Sequence, residues 1–230
     1  MRSTIKAMLL MAATGLGMAG ASLASGAGGG AGIPQGAPGM PSQSPEALAV
    51  QSYNRALHYR NKAWKLEEKV KGEPGALDAK TAAKVQAQFE KMIAPLEKAV
   101  KNKPDYYEAY SSLGYALRRT GDYEASLAAY DRSLALNPNY PEAIEYRAEA
   151  YLALNRPEDA KAAYLRLKLF NAEKADELLE AFHAWVRDRR HDPAGMAVSE
   201  LEQIAEWVAG QSKIASIDAR LATSSENGSW

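Results

Sequence analysis

From Pro45 onward the apolar residues recur at spacings of three and four rather than two, which is the pattern of amphipathic helices. Ala, Leu, Glu, Lys and Arg fill the positions between them, and no stretch combines alternation with the two-residue turns of a hairpin. The run YNRALHYRNKAWKLEEKVK, Tyr53 to Lys71, predicts one long helix, and EPGALD, Glu73 to Asp78, breaks it. A second helix is expected from about Lys80 to Asn102. Further on, Leu178, Leu179, Phe182, Trp185 and Val186 mark an amphipathic helix from Lys174 to Arg190, stopped by Asp192 and Pro193. Ser199 and Glu202 read as a capping box ahead of Leu201, Ile204, Ala205 and Val208. Residues 211–230 predict a weak helix through Ile214, Ile217 and Leu221, then a polar tail ending in Trp230.

Shifting the chain against itself by 34 residues exposes a repeat. Glu108, Ala109, Ala116, Glu124, Ala128, Ala129, Tyr130, Arg132 and Asn137 return as Glu142, Ala143, Ala150, Glu158, Ala162, Ala163, Tyr164, Arg166 and Asn171. Pro104 and Tyr106 return as Pro138 and Tyr140. A fixed period of this size marks a solenoid of stacked units. The small residues Gly114 and Ala148 allow two helices to approach closely, and Tyr130 and Tyr164 fill the space that results. Asp122 suits the cap of a second helix, Pro157 a first helical position, and Pro138 with Pro141 the junction of two units.

With Tyr110, Leu113, Gly114, Leu117, Gly121, Tyr123, Ser126, Tyr130, Ser133 and Pro138 in these places, residues 107–140 resemble the tetratricopeptide repeat. Residues 141–174 keep Ala148, Tyr151, Ala160 and Tyr164 but carry Asn155 and Pro157 where that repeat usually has Gly and an aromatic. The resemblance implies an all-α, short right-handed solenoid of helical hairpins. Residues 46–103 form a divergent, lengthened repeat, with Met92, Leu96 and Ala99 one period before Ser126, Tyr130 and Ser133. Either Ala56 or Ala63 takes the close-contact position of its first helix. Residues 174–210 then serve as capping helices over the exposed end of the array. The helical domain spans 46–210, with 211–230 a weakly ordered tail.

The N-terminus has a different character. Arg2 and Lys6 precede a run of Ala, Leu, Met and Gly without an acidic residue, as in a secretory signal peptide, residues 1–24. Cleavage after Ala24 or after Ala27 fits the small residues there. Residues 25–45 are mostly Gly, Ala, Pro, Ser and Gln and predict a flexible leader. The expected location is the periplasm, with no transmembrane segment in the mature chain. Lys plus Arg and Asp plus Glu both number 28, so removing residues 1–24 with their two basic residues leaves a net charge of about −2. That balance does not favour nucleic acid as a partner. With no cysteine, disulfides, thiolate metal sites and lipid-bearing cysteines are excluded.

Candidate chemistry is sparse. Glu180 and His183 make one Glu-x-x-His pair, half of what a carboxylate-bridged dimetal site requires. No nucleophile elbow, phosphate loop or dinucleotide turn is present. Neither a catalytic residue nor a cofactor is expected. The resemblance instead implies a protein or peptide partner in a concave groove lined by first helices. Carried over by position, the groove residues are Glu108, Ser111, Tyr115 and Arg118, then Glu142, Glu145, Glu149 and Leu152. Glu142, Glu145 and Glu149 share one helix face and predict an acidic strip beside Tyr115, suited to basic and apolar residues of a partner. Self-association through the apolar C-terminal helices, as a structural subunit of an envelope complex, is the first alternative, and a metal-dependent enzyme the second.

Overall fold

The computed structural model describes residues 43–69 and 78–226, with side chains to residue 217. The expected signal peptide, the leader up to residue 42, most of the Glu73–Asp78 breaker and Trp230 lie outside the described residues. Every regular element described is a helix: α1 Pro45–Lys69, α2 Ala79–Asn102, α3 Tyr107–Thr120, α4 Tyr123–Leu136, α5 Pro141–Ala153, α6 Pro157–Lys168, α7 Ala172–His191 and α8 Val198–Glu226. Each helix packs on its successor, and α3, α5 and α7 also touch one another along one side of the array. The protein is thus a solenoid of helix pairs, α1–α2, α3–α4, α5–α6 and α7–α8, whose first helices stand side by side.

The two matched turns show how the period is encoded. In the first, Gly121 adopts φ +91°, the Asp122 amide donates to the Leu117 carbonyl at 3.0 Å, and the Asp122 carboxylate accepts from the Ala125 amide at 3.2 Å. One period later Asn155 takes the left-handed position at φ 55° and the Arg156 amide donates to the Tyr151 carbonyl at 2.8 Å. Asn is the residue other than Gly that tolerates this conformation best. Pro157 then opens α6 and Pro141 opens α5, where a missing N–H costs nothing. At the start of α2 the Asp78 carboxylate caps the Thr81 amide at 2.6 Å.

Tight crossings occur where the small residues predict them. A Cβ on Gly114 would sit 2.7 Å from Cε1 of Tyr130, which is fully buried. Ala148 is likewise fully buried, in the cluster that also holds Tyr164. In α1 both Ala56 and Ala63 are fully buried. The apolar interior forms two clusters. One joins α1 and α2 to α3 through Ala56, Phe89, Met92, Leu96 and Tyr115. The other runs from Tyr130 to Val208 and includes the caps through Leu178, Phe182, Trp185 and Ile204. Tyr146 of α5 packs against both.

One expected cap is not made. Helix α8 begins at Val198, ahead of Ser199, with the Glu200 and Leu201 amides donating to the Ala197 carbonyl. Glu202 turns away to Arg190, whose Nη2 lies 3.0 Å from its carboxylate. Ser199 is therefore inside the helix and cannot serve as its N-cap.

Candidate functional site

The first helices α1, α3 and α5 wall a small cleft of about 80 Å³. From α1 come Tyr53, Arg60 and Trp64, spaced seven and four residues apart and so on one helix face. Helix α3 contributes Ser111, Ser112 and Tyr115. Tyr140, Glu142 and Tyr146 come from the start and first turns of α5. Five of these nine residues are aromatic, and none of the five is fully exposed.

The rings are locked together. Nε1 of Trp64 donates to the Tyr115 hydroxyl at 2.9 Å, and Arg119 donates to the same oxygen at 3.1 Å while pairing with Glu67 of α1. Tyr115 meets Phe89 edge-on at 5.6 Å and Tyr146 in a tilted contact at 5.1 Å. At the other end Tyr53 leans on Tyr106 at 4.9 Å and Tyr107 on Tyr140 at 5.0 Å. Burial, reinforced by Glu142, pushes the Tyr140 phenol well above its ordinary range, and burial with Glu145 does the same to Tyr146. Both stay neutral, as hydrogen-bonding groups, at physiological pH.

The groove residues read from the repeat divide into two groups. Ser111, Tyr115 and Glu142 line the cleft. Glu108 is half-buried and does not line the cleft, and its charge pushes the neighbouring Tyr107 phenol up. Arg118, Glu145, Glu149 and Leu152 are buried instead. Arg118 and Glu149 form an ion pair at 2.5 Å, and Glu145, 1% exposed, lies 3.0 Å from Nζ of Lys174. Leu152 belongs to the core, and its carbonyl accepts from Nε1 of Trp185 at 2.7 Å. The expected acidic strip is thereby corrected. Two of its three carboxylates are removed from solvent, where an ionised group persists only with a cation beside it. They stitch α5 to α3 and α7 and present no charge to a partner.

Elsewhere the chemistry is thin. Glu180 and His183 are exposed on α7, and the His183 ring contacts the Ser212 hydroxyl of α8 at 2.7 Å. Among the described residues no group of three potential metal ligands converges, and no helix is long and apolar enough to cross a membrane. Residues of the cleft that the repeat alone does not indicate are Tyr53, Arg60, Trp64, Ser112, Tyr140 and Tyr146. The spacing of Tyr53, Arg60 and Trp64 on one face of the first helix was the available signal. Tyr140 repeats Tyr106 at the 34-residue offset, and that too pointed at this end of the units.

The family model described as tetratricopeptide repeat matches residues 107–140, which are α3, α4 and the following turn. A second tetratricopeptide repeat model matches residues 129–162, beginning within α4. No curated protein matches the chain. Among solved structures the chain is similar to the TPR2B-domain:pHsp70-complex of yeast Sti1, with 15% identity, a TM-score of 0.38, and coverage of 71% of this chain and 98% of that one. It is also similar to MamA, at 18% identity and a TM-score of 0.38 over 72% of this chain and 92% of that one. A further MamA structure, MSR-1 C2, is 19% identical with a TM-score of 0.33, covering 58% and 74%. Residues 107–162, from α3 into α6, therefore match the tetratricopeptide repeat.

Proposed function

We propose that this chain is an exported protein–protein interaction module that holds a segment of another polypeptide in the cleft between α1, α3 and α5. The repeat family supports interaction as the activity. The observation that carries the site is the pre-formed aromatic cleft, whose rings are fixed by hydrogen bonds and ring–ring contacts before any ligand arrives. Rigid aromatic anchors contribute large contact area at small entropic cost. The charged, basic-initiated N-terminus supports export, and the mature N-terminus, measured by mass from native material, should begin at Ser25 or Gly28.

Binding is tested by blocking the cleft without removing its walls. Ser112 is half-buried on the cleft surface, so Ser112→Trp fills the space while the core beneath stays intact. Peptides captured by the wild-type protein should lose roughly 100-fold or more in affinity for this variant, which is ~3 kcal/mol and the loss of a central anchor. Unchanged affinity, with an unchanged thermal melt, would move the site elsewhere.

Self-association is a second reading with its own observation. Ile214 and Ile217 of α8 are 43% and 46% exposed, and Leu165, Leu169 and Phe170 form another exposed apolar group. A sedimentation coefficient independent of concentration would dismiss it.

A further inference from the structure

Charge is unevenly shared along the chain, although Lys plus Arg and Asp plus Glu balance in total. Residues 45–103, the stretch of the first helix pair, hold 12 basic and seven acidic residues, whereas residues 104–230 hold 14 and 21. The first pair therefore carries about +5 and the remainder about −7.

Two exposed helix faces concentrate this difference. On α2, Lys84, Lys91 and Lys98 recur at every seventh residue and all three are exposed, on the side away from buried Phe89 and Leu96. None of the three has an ion-pair partner among the described residues. Glu90 and Glu97, each one residue earlier, stand about 100° around the helix from that line. On α7, Glu173 and Glu180 are also seven residues apart, exposed, and without an ion-pair partner among the described residues, on the side away from buried Phe182. Exposed Asp176 lies between them, while Glu177 is held by Lys174, and Arg187, the next residue at this spacing, is taken by Asp188 at 3.2 Å. Immediately before α7 come Leu169 and Phe170, 87% and 45% exposed.

Seven residues are two helical turns, about 10 Å, so the two acids of α7 have the same separation as any two adjacent lysines of the α2 line. Helices that pack nearly parallel or antiparallel bring such series side by side, as the charged flanks of coiled coils do when they choose partners. Both faces are exposed in the single chain, so the match is available between copies. We infer that copies of this chain associate head to tail, the line Lys84, Lys91 and Lys98 of one copy lying along Glu173 and Glu180 of the next, with Leu169 and Phe170 covered at the junction. Lysine stems and the alanines between them, Ala87 and Ala94, supply the apolar cover. Those alanines also argue against a nucleic acid on this face, since no aromatic ring stands between the lysines for a base to stack on. The junction joins two different surfaces, so each copy keeps a free end and association continues beyond the dimer. This rests on self-association, the second reading above, and adds to it which faces meet; it makes no use of the cleft.

The test is sedimentation velocity of the full chain over a range of concentrations, at low salt and at about 0.5 M salt. At low salt the mass should rise with concentration past that of a dimer, and at high salt it should fall back toward that of one chain. An acidic variant, Lys84→Glu with Lys91→Glu and Lys98→Glu, and a basic variant, Glu173→Lys with Glu180→Lys, should each weaken association roughly tenfold or more. Each exposed pair contributes up to about fivefold, and reversal turns two such pairs into repulsions. All five positions are exposed, so both variants should melt as the wild type does. Mixed in equal amounts, the two variants should associate again, because each supplies the face that the other lacks. A wild type that stays a single chain at every concentration would remove self-association and this inference together. Undiminished association of either variant alone, or a mixture that stays unassociated, would leave self-association standing and overturn this junction. Flotation of an unassociated wild type with phosphatidylglycerol vesicles, lost in the acidic variant, would give the lysines to an anionic surface and overturn the inference too.

Discussion

At the scale of single residues, the decisive positions are those where a side chain has no room or a backbone has no alternative. Gly114 is the plainest. A methyl group there would meet three carbons of the Tyr130 ring at 2.7 to 2.9 Å, and that ring is fully buried and cannot step aside. Gly114→Ala should therefore force α3 and α4 apart and cost roughly 1–3 kcal/mol, despite the better helix propensity of Ala. A urea titration in which Gly114→Ala matches the wild type would show that the crossing is looser than its distances imply. Gly121 has the opposite problem, since it has open space around it but φ +91°. Asn155 solves the same backbone problem in the next unit and gains two further contacts. It accepts from Nε of buried Arg189 at 2.7 Å and donates to the Ala194 carbonyl at 3.1 Å. The substitution of Asn for Gly thus fastens the second repeat to the cap.

At the scale of helices, the ion pairs of α5 decide how the first helices stand against each other. Arg118 of α3 and Glu149 of α5 are both nearly inaccessible and 2.5 Å apart. Arg118→Met leaves the Glu149 carboxylate buried without its cation, and a loss of roughly 3–5 kcal/mol is expected in urea unfolding. Combining it with Glu149→Leu should restore stability to near the wild-type level, because two apolar groups replace the pair. A small effect of the single variant would mean that water reaches the carboxylate. This pair also shows where reading the sequence reaches its limit. The 34-residue period, the turn at Asp122, the prolines at 141 and 157 and the apolar faces of α2 and α7 were legible, since each rests on local rules of helix geometry and capping. The face of α5 carrying Glu142, Glu145 and Glu149 was legible too. Their fates were not, because the cations that claim Glu145 and Glu149 arrive from α7 and α3. The α1 wall escaped for a related reason: α1 is lengthened and its register against the repeat stays open between Ala56 and Ala63, so no groove position on it could be carried over. The capping box failed because Ser-x-x-Glu also occurs inside helices, and Glu202 had Arg190 within reach.

At the scale of the whole molecule, the array is a row of helices with tyrosines buried between them, and this gives it a characteristic response to alkali. Burial holds the phenols of Tyr130 and Tyr146 far above their ordinary range, with Glu145 adding to the effect at Tyr146. Lys174 follows the same direction: burial alone would lower its ammonium, but Glu145 and Glu177 more than offset it. All three groups hold their protons more tightly in the folded state than in the unfolded chain, where phenols ionise near pH 10. Their contribution is therefore complete below pH 10 and is lost as pH rises through and beyond it. One pH unit above the unfolded value each phenol withdraws about 1.4 kcal/mol, so Tyr130 and Tyr146 together should remove about 3 kcal/mol by pH 11. Urea unfolding at pH 7, 9 and 11 should show a flat stretch followed by this fall. A Tyr130→Phe, Tyr146→Phe protein, compared with its own value at pH 9, should retain that amount. If both proteins fell equally, the phenols would be ionising in place, and water would be reaching them between the packed faces of α4 and α5.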